Sequence, residues 1–332
     1  LFRYSMTRPV ISASLMYIRT KNALNSMAHT YPALALVVMA LVRTGGLLAQ
    51  NTIGLVDYAQ DAVDGYMLIY PDQQGTVFLL DACGRVVNRW EDDGSVPGNG
   101  SRLFSGGKLM RTYVDADGGN PFFTQGGNGE HVQIKDWENN VLWDYTLSSG
   151  TECLHHDAEV LPNGNVLVIA WELKTIEEAR LAGRDTLGFG YTTLWPDKLV
   201  ELSPTGLNTA EIVWEWHAWD HLIQDFDPLA ENYGVVADHP ELINFNFVYQ
   251  VNNNPDWLHI NSVDYDPELD QILVSVPFFN EVWIIDHSTT TEEAAGRTGG
   301  LQGKGGDLLY RWGNPRAYGR GTVDDQQLFF NH

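Results

Sequence analysis

The chain of 332 residues carries 43 acidic side chains against 20 basic ones, a formal net charge of −23. Phosphate backbones and anionic lipid surfaces are bound through clustered lysine and arginine, so this charge excludes nucleic-acid and anionic-membrane binding as its role. A hydrophobic content of 44%, with eleven Trp, fourteen Tyr and thirteen Phe, excludes a disordered chain. Thirty-two glycines and fourteen prolines indicate many turns and favour β structure over a helix bundle.

The first 49 residues are predicted to be an export signal and not part of the fold. An uninterrupted apolar run covers residues 33–42, follows basic residues, and precedes Ala49, a small residue at a position typical of signal-peptide cleavage. Ten apolar residues are too few to cross a bilayer, although an uncleaved membrane anchor is the alternative. Met27 is a candidate translation start. We therefore expect residues 50–332, with a net charge of −28, to form an exported domain, periplasmic or secreted.

Four segments repeat one pattern, in which an alternating apolar strand, a polar turn and a second strand end at a tryptophan. The segments are residues 77–90, 131–143, 199–216 and 282–312. Alternating side chains with Gly, Asn, Asp or Pro at the turn predict a β-hairpin in each segment. The tryptophans recur every 53 to about 100 residues, which is the spacing of β-propeller blades with insertions.

Further hairpins are predicted between these segments. Residues 159–169 contain the turn Asn163-Gly164, and Asn-Gly is the strongest short signal for a hairpin. Residues 262–274 are its counterpart one repeat later. Two hairpins per repeat give the four strands of one blade. The sequence therefore predicts an all-β fold, a β-propeller, with residues 175–181 as a helical insertion.

Three histidines occupy equivalent positions in this repeat. His156 directly precedes the hairpin of residues 159–169, His259 directly precedes that of residues 262–274, and His332 follows the fourth tryptophan. Equivalent positions in successive blades converge on the central channel, so we expect the three imidazoles to face one another. Such a group suits either a metal site or a cluster of acid, base and nucleophile. A single histidine is more often a packed structural residue.

Short motifs surround these histidines. They are His156-Asp157 with residues 161–165, residues 256–265 around His259, and residues 327–332. Over about residues 65–332 the chain resembles the bacterial arylsulfate sulfotransferases, which take sulfate from an ester donor and not from a nucleotide sulfate. The resemblance implies a six-bladed propeller and an exported enzyme. It also implies transfer of a sulfuryl group from a phenolic sulfate ester to a phenol, in ping-pong steps through a sulfohistidine.

The resemblance implies a role for individual residues as well. His332 matches the nucleophile, while the other matching groups would bind the sulfuryl oxygens, handle protons and line an aromatic wall for the phenol. No metal and no cofactor is implied. The predicted catalytic residues are His332, His156 and His259, and the predicted substrate-binding residues are Asn261, His155 and Trp257.

The chain departs from the family pattern in two places. Pro277 stands near the position where the family has an arginine that contacts sulfate. Three arginines are candidate substitutes, although a loop role is the expected one for each: Arg311, Arg316 and Arg320. The sequence also stops at His332, so we expect the last blade or blades of the ring to be missing from it, because an open ring would expose unpaired strands.

The same residues are compatible with two other functions, and some structural features are open as well. One is a metal-dependent enzyme that uses the three channel histidines, and another is a non-catalytic propeller that binds a ligand at its channel mouth. Residues 115–126 begin like a calcium loop but lack the glutamate of its twelfth position, so a turn is expected there. Cys83 and Cys153 could be bonded or free. The oligomeric state is also open, with a homodimer as one option.

Overall fold

The computed structural model describes residues 65–331 except residues 73, 93, 117–118, 188–189 and 248–253. All of these lie in a compact unit that spans residues 57–332. The predicted export signal, residues 1–49, and His332 lie outside the described residues. Within the part of the chain that the structure describes, no helix is long and apolar enough to cross a membrane.

Four successive antiparallel sheets confirm the predicted all-β propeller fold, and in each sheet the chain runs from one strand to its neighbour. The first two sheets contain β1 (Tyr66–Ile69), β2 (Val77–Asp81) and β3 (Val86–Trp90), then β4 (Ser95–Phe104), β5 (Lys108–Asp115), β6 (His131–Lys135) and β7 (Val141–Thr146). The third contains β8 (Glu152–Val160), β9 (Val166–Glu172), β12 (Asp197–Gly206) and β13 (Thr209–His217). The fourth contains β16 (Ser262–Asp266), β17 (Gln271–Val276), β18 (Glu281–Asp286) and β19 (Tyr310–Trp312).

Short elements occupy the insertions between these strands. Helix α1 (Ile176–Leu181) confirms the predicted helical insertion, and it begins at a capping box in which Thr175 and Glu178 satisfy each other's main-chain N–H groups. Helix α2 (Thr291–Ala294) lies in the glycine-rich insertion of the fourth sheet. The remaining strands form two-stranded pairs: β10 (Lys174–Thr175) with β11 (Thr193–Leu194), and β14 (Leu222–Ile223) with β15 (Ile243–Asn244).

The tryptophans of the first three sheets connect each sheet to the next one. These three indoles are buried, and each N–H donates to a residue at the connection between the last two strands of the following sheet, whereas Trp312 of the fourth sheet is 45% exposed. The N–H groups of Trp90, Trp143 and Trp214 donate to Asp136 O, Thr209 O and Thr289 Oγ1, at 2.7, 3.2 and 3.1 Å. The tryptophans that recur in the sequence therefore form a repeated contact between blades. A large apolar ring with a single N–H donor suits a buried contact that offers one hydrogen-bond acceptor.

Arg102 on β4 joins the innermost strands of three sheets. Its Nη2 lies 2.6 Å from Asp157 Oδ2 on β8 and donates to Val263 O on β16 at 2.5 Å. Its Nη1 lies 2.5 Å from Glu159 Oε2. Burial raises the pKa of Glu159 to about 7, since the charges of Asp157 and Asp264 add to that effect and Arg102 offsets only part of it. These strands form the scaffold of the candidate site.

Candidate active site

A bulge in β8 carries the first two histidines. The pairing of β8 with β9 shifts between Leu154 and Ala158, and His155 and His156 lie inside the strand. The sequence pattern had instead predicted that they precede the hairpin. His156 has a left-handed backbone with φ of 53°, which few non-glycine residues adopt and histidine adopts more readily than most. Its main-chain N–H donates to Gly127 O at 2.6 Å.

His259 directly precedes β16 and faces His156. The two rings meet edge to face with centroids 4.5 Å apart, so the structure brings these two predicted residues together. His259 also has a left-handed backbone, with φ of 58°. Its ring stacks on Phe278 at 4.9 Å, and its Nδ1 lies 2.5 Å from Asp256 Oδ2. The ring is therefore held on one face by an aromatic side chain and at one nitrogen by a carboxylate.

His155 lies fully buried beneath His156. Its Nδ1 is 2.9 Å from Nδ1 of His156, and its ring stacks on Trp171 at 4.0 Å. Its Nε2 approaches Asp197 Oδ1 to 2.8 Å, although the approach is misaligned for an ideal hydrogen bond. Burial, together with the neighbouring imidazoles of His156 and His259, holds the pKa of His155 well below its ordinary value. His155 is thus a neutral, fully buried group behind His156.

Two buried carboxylates, Asp197 and Asp256, complete the arrangement, and the sequence analysis identified neither as functional. Asp256 accepts a hydrogen bond from Trp171 Nε1 at 3.1 Å in addition to its contact with His259. Asp197 is fully buried. Burial, with the negative charge of Asp256, raises the pKa of Asp197 well above its ordinary value, and the main-chain amides of residues 259 and 260 offset only part of this rise.

The last described residues run against the same site. Asn331 O accepts hydrogen bonds from Asn261 Nδ2 and from Ser275 Oγ, both at 3.2 Å. The ring of Phe330 lies 5.9 Å from that of Phe278, which itself stacks on His259. The predicted nucleophile His332 lies outside the described residues. The residue directly before it nevertheless contacts Asn261, one of the predicted substrate-binding groups.

Trp257 lies in the hydrophobic core, only 5% exposed, beside an arginine that the sequence analysis missed. The Arg184 guanidinium lies 5.4 Å from the Trp257 ring and 5.2 Å from the Phe245 ring. Burial lowers the pKa of Arg184 to about 10, although the nearby Tyr191 partly opposes this effect. Arg184 follows helix α1 in an insertion without a recognisable motif, so only its place in the structure draws attention to it.

The arginines considered as substitutes at Pro277 have other roles. Arg311 is buried, forms an ion pair with Glu281, and donates to the carbonyls of Pro240 and Leu242. Arg320 is exposed and donates to Ala237 O at 2.7 Å, and Arg316 is exposed as well. The expected loop role fits the exposed Arg316 and Arg320, whereas it is wrong for Arg311, which is buried on β19.

The described residues offer no metal site. Among them, no group of three His, Cys, Asp or Glu side chains is placed to hold a metal ion, and His332 lies outside this set. Cys83 is an exposed free thiol and Cys153 a buried one. Burial raises the pKa of the Cys153 thiol to about 12, which makes it a poor nucleophile and metal ligand.

The sequence matches the family model described as arylsulfotransferase (ASST) over residues 50–293. This range includes the bulge of β8, His259, Asn261 and both buried carboxylates. No curated protein matches the chain in sequence.

Two solved structures illustrate how distant the structural similarity is. A protein of unknown function from Bacteroides caccae is 11% identical over 75% of this chain and 58% of its own, with a TM-score of 0.36. The hydrazine synthase of Kuenenia stuttgartiensis is 12% identical over 77% of this chain and 90% of its own, with a TM-score of 0.28. This chain thus covers little more than half of the Bacteroides protein, and neither similarity bears on function.

Proposed function

The chain belongs to the arylsulfotransferase family, and from this premise we propose that it moves a sulfuryl group from a phenolic sulfate ester to a phenol through a sulfohistidine at His332. The observation that carries the proposal is the meeting of three separate parts of the chain. His156 and His259 stand 4.5 Å apart, and Asn331, directly before His332, hydrogen-bonds Asn261. These are the residues that the family resemblance selects.

The first half-reaction forms a bond from a ring nitrogen of His332 to sulfur and breaks the bond from sulfur to the phenolic oxygen. The electron pair of that bond goes to the oxygen, which takes a proton from a channel imidazole. Sulfuryl transfer resembles phosphoryl transfer, so we expect a loose transition state with charge on the equatorial oxygens and the departing phenolate. A covalent intermediate divides one difficult displacement into two easier ones.

We propose that His259 carries this proton. Its Nδ1 faces the buried Asp256, which also accepts from Trp171, and a carboxylate in this position stabilises an imidazolium. In the second half-reaction the acceptor phenol returns a proton to the imidazole, attacks sulfur and releases His332. General acid and base assistance of this kind contributes typically about 10²- to 10⁴-fold to the rate.

Aromatic side chains beside His259 suit a phenolic substrate. The Phe278 ring stacks on His259 at 4.9 Å and lies 5.9 Å from the ring of Phe330. A phenyl ring gains from burial against such faces and from offset or edge contacts with them. We therefore propose that the donor and the acceptor use this wall in turn, as a ping-pong mechanism with one channel requires.

The decisive experiment traps the intermediate. The protein is incubated with a chromogenic aryl sulfate and quenched in base, where a nitrogen–sulfur bond should survive, and its peptides are mapped by mass. A sulfo group on His332, with released phenol, is expected. The label and the turnover should both disappear in His332→Asn and persist in His239→Asn, since His239 is a half-exposed surface residue paired with Glu241.

Two other outcomes would overturn the proposal. Phenol release without a labelled histidine would indicate hydrolysis, for which added metal and chelator would be the next comparison. A folded protein that shows neither signal with several donors would be a binding propeller.

We also propose that the enzyme acts outside the cytoplasm, in the periplasm or as a secreted protein. The proposal rests on the apolar run at residues 33–42 and the small residue Ala49 after it. Mass analysis of the exported protein should find a mature chain that begins at Gln50. A chain found uncleaved in the membrane fraction would indicate an anchor instead.

A further inference from the structure

A line of three buried side chains leads from Asp197 in the third sheet to His156 at the candidate site. It runs from Asp197 Oδ1 to His155 Nε2 at 2.8 Å, and from His155 Nδ1 to His156 Nδ1 at 2.9 Å. A neutral imidazole carries hydrogen on only one of its two nitrogens. At the contact between the two Nδ1 atoms, one ring must therefore donate and the other accept. The position of one hydrogen at Asp197 then determines the positions of all the others.

With both imidazoles neutral, two arrangements of hydrogen fit this line once the Asp197–His155 contact is aligned as a hydrogen bond. If Asp197 is ionised, His155 carries its hydrogen on Nε2 and accepts at Nδ1, so His156 carries hydrogen on Nδ1 and a lone pair on Nε2. If Asp197 is a neutral acid, its hydroxyl donates to His155 Nε2, and His155 Nδ1 donates to His156 Nδ1. His156 then carries its own hydrogen on Nε2. The two arrangements give His156 opposite functions, a base in the first and a hydrogen-bond donor in the second.

The surroundings of the two buried aspartates favour the second arrangement. Asp256 faces two N–H donors, Trp171 Nε1 and His259 Nδ1, which suit a carboxylate. Asp197 faces the main-chain amides of residues 259 and 260 but forms no ion pair with a described lysine or arginine, and its side chain is fully buried. Charging both groups would place two negative charges close together in a medium of low dielectric constant, so the less stabilised of them stays neutral. The raised pKa of Asp197 agrees with this assignment.

We infer that Asp197 is a neutral carboxylic acid which, through His155, fixes His156 as the tautomer with hydrogen on Nε2. Asp197 and His155 are then positioning residues, and His156 is a constant hydrogen-bond donor. In the transfer reaction, and this step rests on the proposed function, His156 would donate to a sulfuryl oxygen while His259 moves the proton. His156 is also prevented from competing as a nucleophile, because its Nδ1 lone pair is occupied by His155.

Spectroscopy of the wild-type protein tests the inference without reference to catalysis. Nitrogen-15 NMR distinguishes a ring nitrogen that carries hydrogen from one that does not, and His156→Gln identifies the His156 signals. We expect hydrogen on Nε2 and not on Nδ1 at neutral pH. The infrared spectrum should contain a protonated carboxyl band that is missing from Asp197→Asn and retained in Asp256→Asn. Hydrogen on Nδ1 of His156, or no difference band, would overturn the inference.

Turnover provides a second, separable readout. An asparagine amide can replace the hydroxyl of a neutral acid as donor to His155, so Asp197→Asn should keep kcat within about tenfold and leave the His156 tautomer unchanged. Asp197→Leu has no donor and should lose more. If Asp197 were ionised, the asparagine variant would lose up to about 10⁴-fold, the cost of a wrong imidazole tautomer in a catalytic triad. A protein with the expected tautomer and no sulfotransfer would refute the proposed function and leave this inference intact.

Discussion

Replacement of Gly127 by alanine should displace His156 and reduce turnover while the fold survives. Gly127 lies on the connection between β5 and β6, with φ of 86°. A Cβ atom there would lie 2.0 Å from Cε1 of the His156 ring, whereas ordinary contact begins at 3.4 Å. The ring would therefore have to move by about 1.4 Å. A misplacement of about 1 Å at a reacting group can cost on the order of 100-fold in rate.

Gly164 provides a matched control. It has nearly the same backbone conformation, with φ of 89°, but no atom lies within 4 Å of the Cβ that alanine would add. The left-handed conformation costs a non-glycine residue about 1–2 kcal/mol, and this cost applies to both variants. Urea denaturation should show this shared loss in both variants and a further overpacking loss of about 1–3 kcal/mol in Gly127→Ala, where the added Cβ displaces the buried His156 ring. Only Gly127→Ala should lose turnover, by about 100-fold, and only Gly127→Ala should shift the His156 signals in nitrogen-15 NMR.

Equal turnover in the two variants would refute the reasoning, because it would show that the position of the His156 ring does not matter to the reaction. A shifted His156 signal with undiminished turnover would point to the same conclusion. Loss of turnover without a change at His156 would place the effect elsewhere in the connection between β5 and β6.

Three further predictions concern stability in urea. The stability of Glu159→Gln minus that of wild type should rise by at most about 3 kcal/mol as pH rises from 4.5 to about 7. Over this range the native wild-type protein holds a proton on Glu159 that the unfolded chain has released. A constant difference would show that Glu159 is ionised beside Arg102. Although burial lowers the pKa of His287, hydrogen bonds with Glu201 and Asp270 raise it overall, so His287 stabilises the fold below pH 6.5 and this contribution is lost as pH rises through the raised pKa. His287→Gln should lack that pH dependence, and equal slopes would contradict the assignment. Trp143→Phe should lower the free energy of unfolding by about 1–3 kcal/mol, because Thr209 O loses its donor. Trp312 is 45% exposed, so Trp312→Phe should cost less than about 0.5 kcal/mol. Equal losses would argue against a structural contact between blades at Trp143.

The fold could be predicted because its signals are local. Alternating side chains and a turn are enough to predict a hairpin, as at Asn163-Gly164, where Gly164 adopts the positive φ that such a turn requires. Helix α1 is likewise encoded by its capping box at Thr175. The landmark tryptophans were recognised as periodic, but the periodicity alone did not say that their N–H groups join one blade to the next.

The candidate site was predicted only in part. His156 and His259 were identified by their equivalent places in the repeat, and the structure brings them together. Trp257 was expected at an aromatic wall, and the structure shows it packed in the core beneath Arg184. Asp197 and Asp256 were missed, because an aspartate at the start of a strand or in a loop is ordinary in a chain this acidic.

The blades could be predicted from the chain alone, since strand alternation and turn chemistry act over a few residues, and so could the meeting of His156 with His259, since equivalent positions in a propeller face its axis. The chemistry beneath these histidines depends instead on tertiary packing. Whether a carboxyl group is ionised depends on its distance from water and from other charges, and both distances arise when separate strands pack together. In that packing Asp197 on β12 contacts His155 and Asp256 before β16 contacts His259. The two aspartates are inferred to differ in charge, the first neutral and the second ionised.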